Sequence, residues 1–202
     1  MTKINLESSS FPNAEEGYIF SKNEYLNQTR RSSEGVIAFL IPTTSGDANQ
    51  PYTSYQKLLG KIKQIDQCLN DNSSTDLIIF HTGYPFRADL LSIIQATRRQ
   101  VQMVNVDHIF YKLPPGFDPH IRDPNWSHRG KWNYQQMCQF WFKRVFELKI
   151  LQPYRYMMRL DDDSQILGKW PNVFEIMAKH QALYMANTEE TDSDFRLPGM
   201  TL

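Results

Sequence analysis

The 202-residue chain balances 22 basic against 22 acidic residues, so no net field draws it to nucleic acid or an anionic membrane, and any charge-dependent function is local. Its length suits one substantial core, and an aromatic content of 13% favours a packed domain with surfaces on which planar or sugar rings can stack. The two cysteines, Cys68 and Cys138, lie far apart and lack CxxC spacing, so neither a disulfide framework nor a zinc site is indicated. No apolar run reaches the roughly 20 residues of a membrane span, and residues 1–20 are too polar for a signal peptide.

Residues 1–34 mix Ser, Asn, Glu and Lys with scattered aromatics and show no sustained period, which reads as a partly irregular lead-in ahead of a domain spanning residues 35–202. Val36-Ile37-Ala38-Phe39-Leu40-Ile41 is a continuous apolar run that opens into the turn formers Pro42-Thr43-Thr44-Ser45-Gly46-Asp47, the pattern of a buried strand entering a loop. After Pro51, the spacing of Tyr55, Leu58, Leu59, Ile62, Ile65 and Leu69 predicts an amphipathic helix, with Lys57, Lys61, Lys63 and Gln64 off its apolar face. Residues 76–80 predict a second strand, punctuated by His81-Thr82-Gly83-Tyr84-Pro85 before a helix carrying Leu90, Leu91 and Ile94. Residues 101–106 alternate as a third strand. Strands separated by helices predict right-handed crossovers and a parallel sheet.

Residues 107–130, rich in Pro, Asp, His and Gly, predict a long loop of the kind that often serves function. Residues 133–151 read as one helix, apolar almost all round and therefore deeply buried. Tyr154-Arg155-Tyr156-Met157-Met158-Arg159-Leu160 follows as a strand and ends abruptly in Asp161-Asp162-Asp163. A short helix over residues 171–180 and a last strand over residues 182–186 complete the pattern.

The strand-to-carboxylate junction is the chief candidate site. An acidic triplet is in many proteins a solvated loop or a helix start, but this one ends a buried strand of a βα series, where α/β sheets present metal and phosphate sites. Adjacent carboxylates repel unless water or a cation screens them. Mg²⁺ or Mn²⁺ would do so with hard oxygen ligands and bridge to nucleotide phosphates. Asp161 and Asp163 are the expected metal ligands, Asp162 a donor-side contact, and Asp107, after the third strand, a further reach to the nucleotide.

Tyr134-Gln135-Gln136-Met137-Cys138-Gln139-Phe140, then Tyr154-Arg155-Tyr156-Met157-Met158-Arg159-Leu160-Asp161, with Pro124-Asn125-Trp126 ahead of them, resemble the signature of glycosyltransferase family 15, the fungal-type α-1,2-mannosyltransferases. The resemblance is specific over residues 124–163. It implies a GT-A-like nucleotide-diphospho-sugar transferase fold, α/β with a mostly parallel sheet flanked by helices. It implies GDP-mannose as donor, Mn²⁺ as cofactor, a glycan or glycoprotein as acceptor and a Golgi or other secretory-pathway location, with the cytoplasm as the alternative for a chain showing no anchor. Carried over by position, Asp161 becomes the metal contact and Tyr134 part of the donor pocket. This chain has Asp161-Asp162 where the family continues Glu-Pro and Gln139 where it has Arg, and its Asp161-x-Asp163 spacing is the general GT-A one. The family's catalytic carboxylate and a metal-binding histidine lie further downstream, which leaves the catalytic residue unassigned and makes a domain incomplete at its C-terminus the expectation.

Other residues carry less. His81, His108, His120, His128 and His180 are widely spaced, as surface loop histidines are, and only His108 sits where a donor could pass. Cys138 falls on the inward side of the expected helix and reads as a buried structural thiol. The 42–47 loop follows the first strand but lacks a GxGxxG or GxxxxGK[ST] pattern. Asn27, Asn72 and Asn125 begin Asn-x-Ser/Thr sequons. Two competing functions stand beside the transferase: a non-catalytic nucleotide-sugar or glycan-binding domain, and a phosphotransferase with Asp161 as nucleophile.

Overall fold

In a computed structural model, residues 19–21, 34–41, 53–83, 87–113, 115–118 and 132–186 are described. Among these residues seven strands and five α-helices follow in chain order: β1 (Ile19–Ser21), β2 (Gly35–Ile41), α1 (Thr53–Cys68), β3 (Leu69–Asn70), β4 (Asp76–His81), α2 (Arg87–Ala96), β5 (Val101–Asn105), α3 (Asp107–Phe110), α4 (Trp132–Phe142), β6 (Tyr156–Arg159), β7 (Trp170–Pro171) and α5 (Val173–His180). Two 3₁₀ turns, Arg144–Glu147 and Lys149–Leu151, lie between α4 and β6.

The main sheet has the order β1-β5-β4-β2-β6. β2 runs parallel to both β4 and β6, and β4 parallel to β5, while β1 pairs antiparallel with β5 at the far edge. The sheet is thus mostly parallel, as the strand series predicts. From β2 the chain moves outward through β4 to β5, then returns to place β6 on the other side of β2. The strand order therefore reverses between β2 and β6, and the carboxyl ends beside that reversal are where open α/β sheets bind ligands.

Parallel strands covered on both faces read as continuous apolar runs, and every residue of β4 is buried. On one face Val36, Ala38, Ile78, Phe80 and Val104 pack with Phe110 of α3, Phe140 and Trp141 of α4, and Val145. Phe140 sits at the centre of this cluster, its ring 5.2 Å from Phe80 and 5.3 Å from Trp141, both edge-on. The alternate residues Ile37, Phe39, Leu77, Ile79 and Met103 point to the opposite face. The buried stripes of α1 (Tyr55, Leu58, Ile62, Ile65) and α2 (Ile93, Ile94) lie outside the first cluster, so helices flank the sheet on both sides.

Four expectations are revised. The helix expected over residues 133–151 ends at Phe142, because Lys143 leaves helical geometry (φ −131°, ψ −57°) and the chain continues in 3₁₀ turns. An all-round apolar helix cannot bury every face against one sheet, and Phe142 and Phe146 are left 86% and 71% exposed. Cys138, on that outer side, is exposed rather than buried. Residues 182–186 form no strand and are mostly exposed. Within the expected lead-in, Ile19–Ser21 form β1 through backbone pairing that leaves no hydrophobic period to read.

Residues Asn172–Leu202 cluster as a second compact unit, separate from Met1–Pro171. Its helix α5 is closed at both ends by its own residues. Asn172 accepts from the Phe174 N–H (3.2 Å) as N-cap, and Gln181 takes the left-handed conformation (φ 52°) while the Ala182 N–H bonds the Met177 carbonyl.

Candidate functional site

The carboxyl edge of the sheet gathers His81 at the end of β4, Asp107 just after β5 and the acidic turn just after β6. The Leu160 N–H donates to the Ala38 carbonyl, so β6 stays bonded to β2 until the residue before Asp161. The triplet therefore emerges beside the reversal point of the sheet.

The three carboxylates differ in surroundings. Asp161 is exposed and accepts two hydrogen bonds from Arg159, Nε–Oδ1 at 3.0 Å and Nη2–Oδ2 at 2.9 Å, a fork that occupies both oxygens. The Arg159 guanidinium is itself stacked 5.0 Å from the Trp141 ring. Asp162 is half-buried. Burial, then the charge of Asp163 and to a lesser degree that of Asp161, pushes its carboxyl above the usual carboxylate range, against the pull of Lys57. Asp163 is exposed. Ser164 closes the turn: its N–H donates to the Asp161 carbonyl at 3.1 Å, and its Oγ accepts from the Asp161 N–H at 3.2 Å.

Asp107 is engaged by its own chain. It accepts from the Gly83 N–H at 2.9 and 3.1 Å and from Asn105 Nδ2 at 3.0 Å, while Asn105 Nδ2 also reaches the Gly83 carbonyl. These bonds tie the end of β5 to the turn after β4, where Gly83 needs positive φ (65°). Tyr134 is half-buried in the first turn of α4. Of the motif that contains it, Met137 and Phe140 pack into the core.

His81 departs from its expectation as a surface histidine. It is 2% exposed at the end of the central strand β4, burial holds its imidazole below the usual histidine range, and its Nδ1 has no hydrogen-bond partner among the described residues. Its in-line position after four buried apolar residues was the available signal. His108 and His180 are exposed. His120, His128, the 42–47 loop, Pro124-Asn125-Trp126 and the sequons at Asn27 and Asn125 lie outside the described residues. Asn72 is exposed in a tight turn.

Among the described residues no three His, Cys, Asp or Glu side chains converge as a metal-binding group. A Mg²⁺- or Mn²⁺-type cation that keeps several waters and binds substrate phosphates needs only one or two protein carboxylates. Asp161 and Asp163, both exposed, fit that requirement by donor chemistry, and the like charge that adds to burial in raising Asp162 is what a cation would relieve. Asp161 would first have to exchange Arg159 for the ion.

A comparison with solved structures finds mannosyltransferases. Ktr4p from S. cerevisiae matches with a TM-score of 0.58 and 18% identity over 73% of this chain and 37% of its own. Core-mannan synthase A (CmsA/Ktr4) from Aspergillus fumigatus, solved in a Mn/GDP form, matches with a TM-score of 0.59 and 15% identity over 87% of this chain and 48% of its own. Ktr4p in complex with GDP gives a TM-score of 0.56 and 16% identity. The chain has the fold of the Ktr4 mannosyltransferases. It spans less than half the length of these structures. No protein-family profile and no curated protein matches its sequence.

Proposed function

We propose that this chain is the nucleotide-sugar-binding part of a metal-dependent glycosyltransferase that moves mannose from GDP-mannose to a glycan or glycoprotein acceptor. The observation that carries the reading is the acidic turn beside the strand-order reversal of a Ktr4-like sheet. Asp161 and Asp163 are the proposed ligands of Mn²⁺ or Mg²⁺, with Asp162 beside them on the donor side. A bound cation would supply charge neutralisation at the donor's diphosphate. Tyr134 is proposed to line the donor pocket, and Asp107 to shape it through the Gly83 turn. The carboxylate that completes catalysis is assigned to none of the residues discussed. A secretory-pathway setting goes with this reading, and no helix among the described residues is long and apolar enough to cross a membrane.

Calorimetric titration with Mn²⁺, GDP and both together tests the proposal. GDP should bind with Mn²⁺ present, and Asp161→Ala and Asp163→Ala should each abolish the Mn²⁺-dependent part while the far-ultraviolet dichroism stays unchanged. Absence of binding under all three conditions would sink the reading. The Arg159 fork on Asp161 favours a second reading, a domain that binds a nucleotide sugar without metal or turnover. GDP binding unaffected by Mn²⁺ and by both substitutions would select it.

A further inference from the structure

Helix α1 passes beside the acidic turn with two lysines one helical turn apart. Lys57 is exposed and its charge reaches Asp162. Lys61 is only 7% exposed, although its place off the apolar stripe would leave a lysine in solvent. Its Nζ donates to Gln64 Oε1 at 3.0 Å and to the backbone carbonyl of Ser164. Ser164 is the residue that closes the acidic turn through two bonds with the Asp161 backbone. A buried ammonium is costly unless its protons find acceptors, and here one acceptor belongs to the far end of the site.

The same course continues along α1. Lys169 donates to the Gln67 carbonyl, and Trp170 and Pro171 pair in parallel with Leu69 and Asn70. Positions 164, 169 and 170 are thus tied to positions 61, 67 and 69 in order. Of these ties, the Lys61 bond is the one that meets the acidic turn itself, at Ser164.

We propose that Lys61 is a positioning residue for the nucleotide-sugar site, holding the acidic turn through the Ser164 carbonyl so that its carboxylates stay in register for a cation and a diphosphate. This inference rests on the function proposed above. Groups that orient ligating side chains from behind typically change metal affinity about 10–100-fold when removed, and that is the range expected here.

Lys61→Met keeps the aliphatic stem and removes the donor, Lys61→Arg keeps a cation, and Ser164→Ala breaks the side-chain link to Asp161 while leaving α1 intact. Each is titrated with GDP at saturating Mn²⁺ and without it, alongside a thermal melt. Lys61→Met should weaken the Mn²⁺-dependent binding about 10–100-fold with GDP-only binding unchanged, Lys61→Arg should recover most of the loss, and Ser164→Ala should weaken it in the same direction. A lowered melting temperature with wild-type Mn²⁺-dependent affinity would show Lys61 to be a simple structural tie and overturn the inference. Should Lys61→Met fail to fold, Lys61→Gln, whose shorter uncharged side chain keeps a polar group at the buried position, is titrated in its place, and wild-type Mn²⁺-dependent affinity in it overturns the inference equally. Failure of the wild type to bind Mn²⁺ and GDP defeats the underlying functional reading, a result distinct from either.

Discussion

Arg99 is held by charged and backbone partners on every side of its guanidinium. With its side chain fully buried, it gives Nη1 and Nη2 to the two oxygens of Asp71 at 2.6 and 2.8 Å, Nε to Asp66 at 2.7 Å, and Nη1 again to the Thr75 carbonyl at 3.2 Å. Asp71 also accepts from the Ser73 and Thr75 N–H groups. Removing one partner of such a pair leaves an uncompensated buried charge, so Arg99→Met should cost about 3–5 kcal/mol in urea-unfolding experiments; a loss under about 1 kcal/mol would show that water reaches Asp71. Burial alone would raise the Asp71 carboxyl, but the hydrogen bonds from Arg99 and Thr75 and the Arg99 charge outweigh it and hold it below its ordinary value. The unfolded chain therefore takes up the proton first on acidification. Stability from this group is complete above the ordinary carboxylate value of about 3.9 and is lost as pH falls through the depressed folded value. Asp71→Asn should be less stable than wild type near neutrality, with the gap narrowing as unfolding is measured at progressively lower pH. A constant gap would contradict the linkage.

At the scale of elements, α4 divides its aromatics between core and solvent within three residues. Phe140 is fully buried against Phe80 and Trp141, whereas Phe142 is 86% exposed. Phe140→Ala should cost about 3–5 kcal/mol and Phe142→Ala less than about 0.5 kcal/mol, both read from denaturant midpoints. Equal losses would mean that Phe142 is covered. The same division explains what the sequence made legible. β2 and β4 were readable because each is a buried apolar run bounded by turn formers, β5 because its residues alternate, and α1 because its stripe has one face. The outer half of residues 133–151 was misread because apolar composition carries no direction. β1, β3 and β7 escaped because two or three residues joined by backbone bonds have no side-chain period. The acidic turn was legible as a strand ending in charge. Lys61 was not, since nothing in the helical pattern distinguishes a lysine that turns inward to a carbonyl more than one hundred positions away from one that points to water.

Across the whole molecule, the polar groups at the two ends of the main sheet do different work. At the amino edge the buried charged groups are paired: besides the Arg99 cluster, Tyr154 donates its hydroxyl proton to Asp76 at 2.7 Å and accepts from Gln102 at 3.1 Å, joining the approach to β6 with the first residues of β4 and β5. At the carboxyl edge they are in tension, with Asp162 raised by burial and by its acidic neighbours and His81 buried with Nδ1 unpartnered among the described residues. Stable edges hold a fold, whereas unsatisfied ones are where a ligand can add bonds that the protein lacks. Amide hydrogen exchange separates the two roles. β4, hydrogen-bonded on both sides and buried at every position, should exchange through global unfolding alone. With Mn²⁺ and GDP, protection should rise at residues 160–164 and at the turn after β4, beyond the uniform slowing that ligand linkage gives to globally exchanging amides. Residues 71–76 and 97–100 at the amino edge should show only that uniform slowing. Local protection appearing at the amino edge, with none at the acidic turn, would place the ligand at the wrong end of the sheet for the mechanism proposed.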